Sequence, residues 1–137
     1  MIRSVALLAR RTPLDLPLAL FLLTAAGVTT VTRSDYRALK WSKLLLNILA
    51  NAVPAILDMS PRDVFAIPGL FSIERAAFLE ALAVMSALHL RATSIPSYPV
   101  PLLVWAMSAL PDAVLRPIIR PLVATGRGDK KPSLQLD

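Results

Sequence analysis

Apolar residues run almost without interruption from Leu16 to Ala26 and continue into Gly27-Val-Thr-Thr-Val-Thr32, which is led by glycine and rich in β-branched residues. The pattern predicts a helix over about Leu16–Ala26 followed by a short buried strand. Ser34 or Asp35 is placed to cap a second helix, from Tyr36 to about Val53, a stretch without Gly or Pro before Pro54. A third helix is expected over about Ser72–Arg91, with Ser72 as its cap, Glu74 in the first turn and Arg91 near the end. Ile73, Ala77, Leu79, Leu82, Ala83 and Leu90 are its expected apolar surface. Pro96, Pro99 and Pro101 enforce an extended link, after which Leu102–Leu110 and Asp112–Ala124 read as two shorter helices, the last bent or broken by Pro117 and Pro121.

Hydrophobic residues make up 55% of the 137 residues and charged ones 18%, so a disordered chain is excluded and one domain with a real core is the natural reading. The absence of Cys and the presence of one His, His89, remove disulfide scaffolds, thiolate zinc sites and multi-histidine metal clusters. Gly27, Gly69, Gly126 and Gly128 cannot be arranged as G-x-G-x-x-G or as a phosphate-binding loop. The net charge of +6 is spread over Arg3, Arg10 and Arg11, over Arg33 to Lys43, and over Arg127 to Lys131, which gives nucleic acid no focused footprint.

The uncharged run Leu16 to Thr32 lies at the lower edge of a membrane span, and its Pro17, Gly27 and threonines fit a helix, turn and strand better. The opening Met1–Arg11 carries no acid and is compatible with a targeting segment, although its apolar part, Val5 to Ala9, is too short for a secretory core.

Within the second helix Lys43, Asn47 and Asn51 follow at i, i+4 and i+8, an arc of roughly 80° on one side. Leu44, Leu45, Leu46, Ile48, Leu49, Ala50, Ala52 and Val53 fill the other directions, so the helix is expected to be buried on most sides. A lysine and two carboxamides in such a setting need hydrogen-bonding partners, and a small polar ligand is one. An amphipathic helix also keeps one side wet, and spacing alone leaves both readings open.

The segment Trp41-Ser-Lys43-Leu-Leu-Leu-Asn47-Ile-Leu-Ala-Asn51 resembles the W-x-K-L-x-x-N-x-x-x-N helix that opens the C-terminal domain of ketopantoate reductases. Upstream, Leu20-Phe-Leu-Leu-Thr-Ala-Ala-Gly27-Val-Thr-Thr-Val is similar to the last helix and strand of that family's dinucleotide-binding domain. Downstream, Lys131-Pro-Ser133-Leu-Gln-Leu-Asp137 resembles its P/S-S-x-x-x-D segment. The resemblance implies a mostly α fold: a helical C-terminal dehydrogenase domain over 34–137, preceded over 1–33 by an extension and a remnant helix and strand of a Rossmann domain. It further implies that Lys43 meets the keto oxygen of the substrate as the catalytic group. Asn47 and Asn51 would hold the hydroxyl or carboxylate side, and Ser133 would contact the carboxylate. The implied reaction is NADPH-dependent reduction of 2-dehydropantoate, a branched 2-keto acid, to pantoate; an ammonium beside the oxygen suits it, since charge gathers there.

Three departures qualify the resemblance. The glycine-rich cofactor start is absent, the acidic residue expected past Asp137 lies beyond the chain, and Leu88-His89-Leu90 stands where the family has a small residue and glycine. The chain therefore reads as a fragment, inactive alone and binding no cofactor tightly by itself. It is expected to be cytoplasmic and to form a homodimer or join a separate Rossmann-domain partner, without nucleic acid, membrane or metal. The alternatives are a non-enzymatic helical interaction or dimerisation module and a small membrane-associated protein. His89, near a helix end, reads as a structural or surface histidine rather than a catalytic one; Gly126-Arg-Gly128 as a solvated linker rather than a phosphate site; Trp41 and Trp105 as packing residues; Asp58 and Asp63 as turn residues.

Overall fold

The computed structural model of the chain describes residues 16–30, 35–96 and 98–127. Its elements are α1 (Leu16–Ala25), α2 (Tyr36–Ile48), α3 (Ala52–Leu57), α4 (Pro61–Val64), α5 (Pro68–Ala87), α6 (Val100–Ala109) and α7 (Asp112–Arg127). The mostly helical architecture is the one expected. Of the strand read over 27–32, a single bridge position, Thr30, falls among the described residues, and 31–34 lie outside them.

Several helix ends have a local cause. Asp35 caps α2 by accepting the Ala38 N–H at 2.9 Å. Ser60 caps α4, accepting the Asp63 N–H at 3.2 Å while its hydroxyl donates to the Asp63 carboxylate at 2.7 Å, so Asp63 is part of a cap as well as a turn. α1 closes on Gly27 at φ +73, whose N–H returns to Thr24 O while Val28 N–H returns to Leu23 O, both at 2.9 Å. α3 closes on left-handed Asp58, with Met59 N–H on Pro54 O at 3.0 Å.

α5 differs from expectation at both ends and in phase. It begins at Pro68, in the first helical turn, where a missing N–H costs nothing, so Ser72 lies inside the helix and is not its cap. It ends at Ala87, leaving Arg91 outside, because His89 turns left-handed at φ 55. His89 N–H reaches Ser86 O at 2.9 Å and Leu90 N–H reaches Met85 O at 3.0 Å, the closure that glycine makes most easily. His89→Gly is expected to raise stability by about 1 kcal/mol through release of the left-handed cost, read as an upward shift of the thermal midpoint; an unchanged or lower midpoint would contradict the assignment.

The buried face of α5 is Phe71, Glu74, Phe78 and Met85. Ile73, Ala77 and Ala83, expected inside, are exposed, while Leu79 and Leu82 are half-buried at the margin. α5 packs against α2, α6 and α7, α4 packs against α7, and α3 lies beside α4. The core joins Leu45 and Leu49 from α2 and its C-terminal end, Val64 and Phe65 around α4, Val100 and Met107 of α6, and Leu115 and Ile119 of α7 to the α5 residues. The Phe65 and Phe71 rings meet edge to face with centroids 5.6 Å apart.

α7 continues through both Pro117 and Pro121 instead of breaking. The two prolines stand one turn apart on its exposed side, where water can meet carbonyls deprived of an N–H partner. Its first turn is clamped to α5: Arg75 Nη1 forms an ion pair with Asp112 and Ser72 donates to Asp112 Oδ2 at 2.7 Å, while Arg75 Nε donates to Met107 O of α6 at 2.9 Å. The hydrogen bond from Arg75, then that from Ser72, hold the Asp112 carboxyl below its ordinary value. A depressed folded value contributes stability that is present above the unfolded aspartate pKa, near pH ~4, and is lost as pH falls through the folded value. The urea midpoint should therefore fall on acidification below about pH 4, with the Asp112 part of that fall missing in Asp112→Asn; an identical pH profile in the variant would contradict the clamp.

Candidate functional site

The side of α2 turned to the core is a narrow seam: Ala38, Ser42, Leu45 and then Leu49 just past the helix, spaced i, i+4, i+7 and i+11. Its one polar member is satisfied, since buried Ser42 Oγ accepts the Thr93 N–H at 2.8 Å and so ties the segment after α5 to α2. Lys43 and Asn47 lie on roughly the opposite side of the helix and are exposed. They are one turn apart on a common face, about 5–6 Å between Cβ atoms. Lys40 shares that face, with its Nζ 5.7 Å from the centroid of the Tyr36 ring.

The expectation that α2 is buried on most sides is not met. A narrow seam suffices to dock α2 on α5, so Leu44 stays exposed and Trp41, Leu46 and Ile48 are only half-buried. Lys43 and Asn47 thus stand in water in this unit, and desolvation within it does not by itself call for a ligand.

Asn51 departs from the expected single stripe because α2 does not run to Val53. The helix stops at Ile48, Leu49 is extended at ψ 125, Ala50 is left-handed at φ 62, and Asn51 begins α3. Asn51 is half-buried and its side chain does not cap α3; its carbonyl accepts the Ala55 N–H at 3.2 Å. The break has a distant partner: Glu74 Oε2, from the buried face of α5, accepts the Ala50 N–H at 2.9 Å. The fold therefore brings Lys43 and Asn47 together on one face and sets Asn51 past a sharp break. Ser133 lies outside the described residues. The sequence places Glu74 in the first turn and gives it no part in the site; the signal for its burial is Phe71 and Phe78, at i−3 and i+4, which share its helical face.

By class this is a helical C-terminal domain: residues 35–137 match the family model described as ketopantoate reductase PanE/ApbA C terminal. The chain belongs to the ketopantoate reductase family, an oxidoreductase family of pantothenate metabolism. No curated protein and no solved structure matches the chain.

NADPH serves the full enzyme of this family, and the described residues do not fit it. A dinucleotide needs a strand, a glycine turn and a helix N-terminus within a parallel sheet. Here Gly27 closes the C-terminal end of a helix and Gly69 sits in the first turn of α5, and among the described residues there is no named strand before either. No helix among them is long and apolar enough to cross a membrane, and no cluster of His, Asp or Glu among them is suited to a metal.

Proposed function

We propose that this chain supplies the substrate-binding side of a 2-dehydropantoate 2-reductase, with Lys43 as the catalytic group and Asn47, Asn51 and Ser133 as substrate contacts. The reading rests chiefly on one observation, the pairing of Lys43 and Asn47 on an open face of α2 in a domain of this family. When a ketone becomes an alcohol, negative charge gathers on its oxygen. An ammonium at hydrogen-bond distance stabilises that charge and delivers the proton. Carboxamides offer both donors and acceptors, which suits a hydroxyl beside a carboxylate. Because the face is open to water here, a dinucleotide-binding domain laid over it would exclude solvent and strengthen these contacts. That domain, binding NADPH, would come from the same polypeptide or from a separate partner. The proposed setting is the cytoplasm, with a homodimer as the working assembly.

A second reading, a helical interaction module, is favoured by exposed apolar stripes on α1 (Leu18, Phe21, Leu22) and α7 (Val114, Ile118, Leu122). The two readings separate when the chain is joined to the dinucleotide-binding domain of a family member and NADPH oxidation is followed on adding 2-dehydropantoate. The enzyme reading expects turnover that depends on the keto acid; a well-folded hybrid that consumes neither compound would favour the module.

A further inference from the structure

Four described helices end on a left-handed residue whose N–H finds an acceptor, and they do it differently. At α1, α3 and α5 the N–H of the left-handed residue returns to its own helix, Gly27 to Thr24, Asp58 to Pro54 and His89 to Ser86. At α2 the corresponding N–H, that of Ala50, goes to Glu74, a side chain 24 positions away. The α2 end is thus set from α5. It is also an unfavourable way to end a helix on stability grounds, because a glycine would close it locally, whereas here a carboxyl side chain 1% exposed must be withdrawn from water.

The break decides where Asn51 stands. Had α2 continued, Asn51 would follow Asn47 along the same ladder; with Ala50 left-handed, Asn51 instead opens α3, whose Ala55 N–H it already engages. We infer that Glu74 is a positioning residue for the substrate face: through the Ala50 N–H it fixes the turn between α2 and α3, and so the place of Asn51 relative to Lys43 and Asn47. The inference rests on the proposed substrate reading. It adds a residue that touches no substrate but sets the geometry of one that does.

By reciprocity, a ligand that needs Asn51 in this place must in turn strengthen the Glu74–Ala50 bond. The probe is 2-dehydropantoate, titrated into the chain with backbone and side-chain amides followed by NMR. Saturation is expected to slow hydrogen exchange of the Ala50 N–H by about threefold or more, a coupling at the lower end of the usual range, which a purely structural bond would not show. Glu74→Met keeps the bulk and removes the acceptor; its dissociation constant should rise about tenfold, the size of effect expected for losing one buried acceptor. Glu74→Gln, which keeps an acceptor oxygen, should stay within about threefold of wild type. If wild-type Asn47 and Asn51 respond to ligand but Ala50 exchange does not slow, or Glu74→Met binds as wild type does, the positioning role is overturned while the substrate reading stands. If the wild-type chain shows no response, the substrate reading falls and this inference with it. Should Glu74→Met fail to fold, the wild-type exchange measurement alone decides.

Discussion

Phe78→Ala is expected to cost about 3–5 kcal/mol of folding stability. Phe78 is fully buried at the middle of α5, the helix against which α2, α6 and α7 all pack, so its removal leaves a cavity shared by several elements. For a domain whose whole stability is about 5–15 kcal/mol, that loss is at least roughly a fifth of the total and, toward the lower end of that range, most of it. Ile73, five positions earlier on the same helix, is 54% exposed, and Ile73→Ala should stay within about 0.5–1 kcal/mol of wild type. Urea unfolding of the pair measures both at once. Similar midpoints for the two variants would contradict the phase of α5 and with it the placement of Glu74 inside.

The second large effect concerns turnover. In the hybrid carrying a dinucleotide-binding domain, Lys43→Ala should lower kcat by about 10²–10⁴-fold, the range for losing a positioned proton donor that also stabilises developing charge. Since Lys43 is exposed on α2, away from the buried seam, the variant should fold with an unchanged thermal midpoint. The reading therefore demands a loss of rate without a loss of fold. Asn47→Ala, also on the open face, should act more on KM, because a carboxamide that grips the ground state and the transition state alike contributes uniform binding. A Lys43→Ala hybrid that turns over at the wild-type rate would remove Lys43 from the chemistry.

The helices were largely legible because prolines and capping residues punctuate the chain: Asp35, Pro99 and Pro101 mark real boundaries, whereas Pro54 stands inside α3 and not at the end of α2. The Lys43–Asn47 pair was legible for the same reason that any i, i+4 pair is, since one turn of helix suffices to bring them to one face. What escaped was non-local. The break before Asn51 is held by a hydrogen bond to a side chain on α5, and no periodicity within Tyr36–Val53 contains that fact. Ala50 and His89 hid their left-handed backbones because neither is glycine. The phase of α5 differs from the expected one: Ile73, Ala77 and Ala83 are exposed, and Phe71, Phe78 and Met85 form the buried face with Glu74 among them. α7 was expected to break at its prolines, yet a helix with one wet side tolerates two missing N–H groups when both fall on that side.

The most direct test of the substrate face is the NMR map of which residues respond when 2-dehydropantoate is titrated into the wild-type chain. Concerted, saturable shifts at Lys43 Nζ and at the Asn47, Asn51 and Ser133 side chains, with the seam residues Ala38 and Leu45 undisturbed, are the expected result. Shifts confined to the opposite side of the domain, or none at millimolar keto acid, would contradict it.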